Sequence, residues 1–187
     1  MTSAITGAIA GLTATAPMTV SMEIMHRRLP HNERDPLPPR HLTTRLAHRV
    51  GLLSSLSEQD RRALTLLGHF GYGAAAGALF PALMRRSPLP PVATGIALGL
   101  AVWTASYAGW VPLTGLMPPP GRVPLRRNLL MIAAHVVWGA GTDMITQALD
   151  QAAADSLARS PQARVKPASR PRLPVGTMKP GGSRWSR

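Results

Sequence analysis

Four stretches of this chain carry no Lys, Arg, Asp or Glu: residues 1–22, 63–84, 87–121 and 128–142. A soluble domain of this size rarely leaves such long windows uncharged, whereas crossing a bilayer takes roughly 20 mostly apolar residues. In lipid, backbone polar groups must be satisfied internally, which favours helices over open chain. The expected fold is therefore all-α: an integral membrane four-helix bundle with spans at about 4–26, 63–84, 92–116 and 128–149, in a transmembrane domain of residues 1–158. A soluble bundle of buried helices is the alternative, and window length weighs against it.

The formal net charge is +13, which on its own would suggest nucleic acid. Its distribution argues otherwise, because the basic residues fall in loops and at the C-terminal end. From Arg159 onward there are eight Lys or Arg, five Pro and no acid. Such a segment has too little apolar surface to offset the entropy of ordering, so 159–187 is expected to be a disordered Arg/Pro-rich tail. It is either solubilising decoration or a contact for anionic lipid headgroups. The expected partner is the lipid bilayer, with no specific nucleic acid. Loops one and three carry eleven basic residues against ten for loop two and the tail, so charge barely distinguishes the two sides. The tail's unopposed charge leans both ends toward the cytoplasm. Ala14-Thr15-Ala16 looks like a signal cleavage site, but no positive n-region precedes it and Pro17 follows, so residues 4–25 read as a retained span. With no cysteine, thiolate chemistry and disulfides are excluded.

The chain also repeats itself. Aligning His69 with His135 brings Arg61 onto Arg127, Tyr72 onto Trp138 and Gly73-Ala74 onto Gly139-Ala140. Thr6-Gly7-x3-Gly11-Leu12 recurs as Thr94-Gly95-x3-Gly99-Leu100. The pattern predicts two parallel-repeat helical hairpins related by an axis along the membrane normal. Helices in lipid associate through close packing of small residues. Gly7 and Gly11, Gly73 and Gly77, and Gly95 and Gly99 are each four apart on one face, and Gly139 continues the set. These faces would pack the bundle or join a homo-oligomer.

Between the spans, Leu42, Leu46, Val50 and Leu53 form one stripe, which predicts an amphipathic loop helix over 42–53. It would lie on the membrane surface or on the bundle. Ser57-x-x-Asp60 has the spacing of a helix N-cap with an acid in the first turn. Pro17 predicts a kink in the first span. Trp103, Tyr107 and Trp110 read as interface anchors and packing residues. The prolines at 36–39 and 118–120 read as matched rigid rims on one membrane side.

Ionisable groups within a span default to functional hypotheses. Here the candidate polar cluster is Glu23, His26, His69, His135 and Asp143. His69 and His135 each follow an arginine by eight residues, about 12 Å along a helix, on the side where Glu23 and His26 end the first span. Three readings compete. The histidines and Glu23 form a proton- or ion-responsive site; or His69 and His135 ligate a metal or haem iron, with Gly73 and Gly139 leaving room for a flat cofactor; or each histidine hydrogen-bonds a neighbouring helix. Glu23-x-x-His26 is half of a di-iron motif whose other carboxylates are missing. Asp143, with Thr142, Thr146 and Gln147, either lines a polar face or pairs near the helix end. No nucleophile–base signature is present, no cofactor is required, and the chain leans away from enzymes.

PLPPR at 36–40, TGLMPPP at 114–120 and AHVVWG at 134–139 resemble the YagU-like bacterial inner-membrane proteins, over about residues 1–145. The resemblance implies a multi-pass inner-membrane location and supplies no catalytic residues, since that family's biochemical function is undefined. The expected function is a small membrane component that responds to pH or handles a small solute or ion. A haem- or metal-binding protein and a structural subunit are the alternatives.

Overall fold

The computed structural model describes residues 3–52, 54–84 and 87–159. Helix α1 covers Ala4–Arg27, α2 Pro38–Arg49 and α3 Glu58–Ala78, which continues past Leu79 into the short α4, Phe80–Met84. Helix α5, Pro91–Trp103, runs into a π-helical segment, Thr104–Trp110, and then a single turn, α6, Val111–Leu113. The long α7 is Leu125–Arg159. No strand occurs among the described residues. Four of the helical runs are long and apolar enough to cross a membrane: Ala4–Arg27, Glu58–Ala82, Val92–Leu113 and a part of Leu125–Arg159. At about 1.5 Å per residue α7 is roughly 50 Å long, well beyond a hydrocarbon core of about 30 Å. Its last turns, 151–159, are exposed. The expected basic tail lies, apart from Arg159, outside the described residues.

Local chemistry explains the helix starts. Ser3 Oγ accepts from the Thr6 amide at 3.1 Å and opens α1. Ser57 and Asp60 form a reciprocal capping box at the start of α3: Asp60 N donates to Ser57 Oγ at 3.2 Å, and Ser57 N donates to Asp60 Oδ2 at 3.0 Å. α2 and α5 open on prolines, whose missing N–H costs nothing in a first turn. Pro38 and Pro39 are thus the beginning of α2, four residues ahead of the predicted start, and form no separate rim.

The third span departs from a simple helix. Pro112 lacks an N–H and its ring crowds the carbonyl four residues back. The chain answers with the π segment and with Gly109 at φ −104°, ψ −107°, outside helical geometry. Ser106 Oγ donates to Val102 O at 2.6 Å and Thr104 Oγ1 to Leu100 O at 2.9 Å, so side chains stay bonded to the backbone where the helix widens.

The helices pack in the order α3, α1, α7, α5. Small residues set the first and last of these contacts. A Cβ on Gly7 would collide with Gly77 O, and one on Gly11 with Gly73 O. On the other side, Gly95 meets Gly139 O and Gly99 meets His135 O. The two contacts differ by one helical turn. By the sequence repeat, the carbonyls against Gly95 and Gly99 should be those of Asp143 and Gly139, yet each is the carbonyl four residues earlier on α7. The inner contact, α1 on α7, is made by Trp138 Nε1 donating to Gly11 O at 3.0 Å and by Gly141 against Ala14. Outward faces are apolar, with Ile5, Ile9, Val20, Leu67, Leu79, Leu129 and Met144 exposed, as for surfaces turned to lipid.

Two outcomes follow from this packing. Gly11→Val places a branched side chain against the Gly73 carbonyl and is expected to destabilise the protein by about 1–3 kcal/mol or more. Gly71→Ala, in the same bundle but facing open space, should leave the thermal midpoint in detergent unchanged; equal midpoints for the two variants would contradict the packing.

The second concerns His41 on α2, whose ring is held below the ordinary imidazole value of 6.5 by burial, then by Arg45 and Arg127, with Asp35 opposing. The folded chain therefore favours the neutral ring, so its contribution is complete above about pH 6.5 and is lost as pH falls through the lowered folded value. His41→Gln should lessen the loss of thermal stability between pH 7.5 and pH 5. An unchanged loss in circular-dichroism melts would contradict this.

Candidate functional site

The gap between α3 and the α5 side of the bundle is a cavity of about 510 Å³. That lies within the range of roughly 300–1,000 Å³ typical of small-ligand sites. Thr15 and Met18 of α1 and Met131, His135 and Trp138 of α7 form its floor. His69, Tyr72, Gly73 and Ala76 of α3 form one wall, and Val102, Ser106, Tyr107 and Trp110 of the third span form the other. Leu42, Thr43, Leu46 and Arg49 of α2 cover one end. A second crevice, beside His26, Tyr107 and Arg127, holds only about 10 Å³, room for one water at most.

Each wall has a local cause. The π segment turns Ser106 and Tyr107 into the interior, where both are buried. Trp103 stacks on Tyr107 with ring centroids 6.0 Å apart and backs it from behind. Tyr72 and Trp110 meet across the gap at 6.4 Å and stay about two-fifths exposed, so the cavity reaches the outside between α3 and the third span. α2 is fastened at both edges. Thr43 and Thr65 share a hydroxyl hydrogen bond of 2.7 Å, and Arg40 pairs with Glu58 at 2.6 Å. On the far edge Arg49 Nη2 donates to Thr114 O at 2.8 Å, and Arg45 Nη1 donates to Leu116 O at 3.1 Å.

The five residues of the predicted polar cluster fall in four places. His69 and His135 share the cavity. His135 Nδ1 donates to Met131 O at 2.7 Å, which in the neutral ring leaves Nε2 without a proton. His69 Nε2 is buried with no hydrogen-bond partner. Glu23 is elsewhere: it pairs with Arg27 at 3.0 Å, half-exposed, about two turns along α1 from the cavity residue Thr15. His26 Nε2 donates to Asp35 O at 2.9 Å and belongs to the small crevice. Asp143 lies two turns past His135, fully buried against Gly95, with Oδ2 accepting from Gln147 Nε2 at 2.6 Å. Glu23 and Asp143 thus do not join the histidines. The spacing placed Glu23 on the right membrane side but too far along its helix, and the one-turn shift of α5 on α7 sets Asp143 in a helix contact.

The glycines also serve a different end from the one the haem reading needed. A Cβ on Gly73 would meet Thr15 Oγ1 and one on Gly139 the Gly95 carbonyl, so both glycines serve helix packing. No three His, Cys, Asp or Glu among the described residues come together as metal ligands.

Sequence reasoning missed Ser106, Tyr107 and Trp110 as cavity residues, having read the aromatics as interface anchors and packing residues. Gly109 and Pro112 were the available signals, since they make a straight third helix implausible and π-helical turns concentrate at functional sites. Arg127 was also missed. Matched only to Arg61 in the repeat, it is buried, donating from Nη1 to Glu33 O at 2.7 Å and Asp35 O at 3.0 Å and from Nη2 to Pro36 O at 3.2 Å. It clamps the loop that delivers α2.

Residues 14–144 match the family described as protein of unknown function, DUF1440. The chain belongs to that family. The DUF1440 match takes in every residue that lines the cavity, from Thr15 to Trp138, as well as Asp143. No curated protein and no solved structure matches the chain.

Replacing Arg127 by Met leaves three loop carbonyls without their donor. Hydrogen bonds to a charged group contribute about 1.5–3 kcal/mol each when made and cost at least as much when broken. Arg127→Met should lower the thermal midpoint and speed tryptic cleavage at Arg34, while the exposed neighbour Arg126→Gln should do neither. Unchanged cleavage in Arg127→Met would remove the clamp from the account.

Proposed function

We propose that this DUF1440 protein is a multi-pass protein of the bacterial inner membrane that binds a small, mainly apolar molecule drawn from the bilayer, without covalent chemistry. The observation that carries the reading is the cavity holding both His69 and His135, with His69 Nε2 buried and unpartnered. A buried polar atom without a partner is costly, and a ligand hydroxyl or carbonyl would satisfy it. Most of the remaining lining is aromatic or aliphatic, with Arg49, Ser106 and three threonines as its other polar side chains, the usual makeup of a site that orients its ligand through few polar groups. Access runs between α3 and the third span past Tyr72 and Trp110.

The location rests on the four apolar helices and on the likeness of PLPPR, TGLMPPP and AHVVWG to the YagU-like proteins. The sequence repeat supports descent of the two glycine-packed helix pairs from one doubled unit. Their glycine faces are used within the chain, which favours an intramolecular role over homo-oligomer contacts. A pH-sensing role for the histidines loses support, because the carboxylate it needed as partner, Glu23, pairs with Arg27 instead.

The test uses the purified full-length protein in uncharged detergent and radiolabelled hexadecanol as a neutral chain probe. Saturable binding is expected. Gly68→Phe should weaken it at least tenfold, a difference of about 1.4 kcal/mol. A Cβ at Gly68 makes only an ordinary 3.5 Å contact with Thr43, so the ring can enter the cavity without unseating a helix. His69→Leu should weaken binding and His69→Asn should retain part of it. Absence of saturable binding to the wild-type protein would overturn the reading.

A further inference from the structure

The cavity is chemically graded along its length. At the α2 end stand Arg49 and Thr114; His69 and Ser106 come midway; Ala76, Val102 and Trp138 close the deep end. Thr114 and Val102 belong to one nearly continuous helical run, so the cavity extends about 18 Å along it. The shallow end lies where the third span stops at Leu113, and the deep end lies toward the middle of the helices.

The shallow end also carries charge without compensation. Arg45 and Arg49 have no carboxylate within ion-pair distance among the described residues; the four ion pairs there involve Arg27, Arg40, Arg62 and Arg127. Each is instead held in place by backbone carbonyls: Arg49 by Thr114 O, and Arg45 by Leu116 O at 3.1 Å and Gly115 O at 3.4 Å. A guanidinium has five N–H donors, and each of these uses one nitrogen on the loop. Arg49 is exposed at the mouth of the cavity that it lines and keeps donors beyond the one spent on Thr114 O. A guanidinium with donors to spare suits a carboxylate, which can accept two parallel hydrogen bonds.

We propose that the occupant is a single-chain fatty acid, its carboxylate on Arg49 with Arg45 adding to the local positive potential, and its chain running past His69 to Ala76 and Trp138. This rests on the small-molecule reading above and narrows it to one chemical class. The cavity volume, in the lower half of the small-ligand range, suits one chain. The direction matches the bilayer, with the charged head at the interface and the chain toward the centre.

The experiment measures displacement of radiolabelled hexadecanol from the full-length protein at pH 8, where a fatty acid is ionised, by unlabelled palmitate and by unlabelled hexadecanol. Palmitate is expected to compete at a concentration at least tenfold lower than hexadecanol. Arg49→Gln should reduce that advantage, read as the ratio of the two affinities in the same variant, to less than threefold, and Arg49→Lys should keep part of it. Equal competition by the two chains in the wild-type protein overturns the carboxylate assignment and leaves the cavity reading standing. An advantage that survives in Arg49→Gln overturns the role of Arg49. No saturable binding of either chain overturns both inferences together.

Discussion

The carbonyl of Gly11 is where the bundle is joined. It accepts from Thr15 Oγ1 at 2.8 Å within α1 and from Trp138 Nε1 at 3.0 Å across to α7. The same residue lies backbone to backbone on Gly73 and Gly77 of α3. Lipid provides little hydrophobic drive for helix association, so close packing and interhelical hydrogen bonds must hold such helices together. One glycine thereby ties three of the four spans together. Trp138, which reaches it, is also part of the cavity floor.

That tight seam explains the open space. Glycine pairs draw α1 onto α3 and α5 onto α7, and the inner α1–α7 contact fixes the two pairs side by side. α3 and α5 are left at the two ends of the row. Large side chains from α3 and the π segment face the gap without filling it, and α2 closes one end through threonine and arginine contacts. The cavity is therefore a product of the packing pattern, with small residues where helices touch and aromatic residues where they diverge.

Much of the helix layout was legible because lipid imposes simple rules. Charge-free windows of sufficient length mark apolar spans, and Ser57 with Asp60 marks a helix start by side-chain geometry alone. The glycines at spacing four were visible in the sequence, but their partners were not, because register depends on both helices at once. Shifting α5 by one turn along α7 put the Asp143 side chain, rather than its carbonyl, against Gly95 and changed what that carboxylate touches. His69 and His135 could be paired from the matching segments, since equal spacing from matched residues gives equal helical phase. Glu23 could not be excluded from them, because its distance along α1 depends on where α1 meets α3. The π segment was hidden for a similar reason: Pro112 announces a disturbance, whereas the rotation it causes at Tyr107 is decided by packing. Arg127 gave no local sign of burial, since its partners are carbonyls of a loop some 90 residues earlier.

The central claim is that His69 and His135 face one cavity from α3 and α7, apart from Glu23. The chain has no cysteine, so introduced thiols report without background. Paired substitutions His69→Cys and His135→Cys, treated in native membranes with a short bifunctional thiol reagent, give the most direct test. The account expects efficient intramolecular cross-linking of that pair and little for Glu23→Cys with His69→Cys. Cross-linking of the second pair and not the first would contradict it.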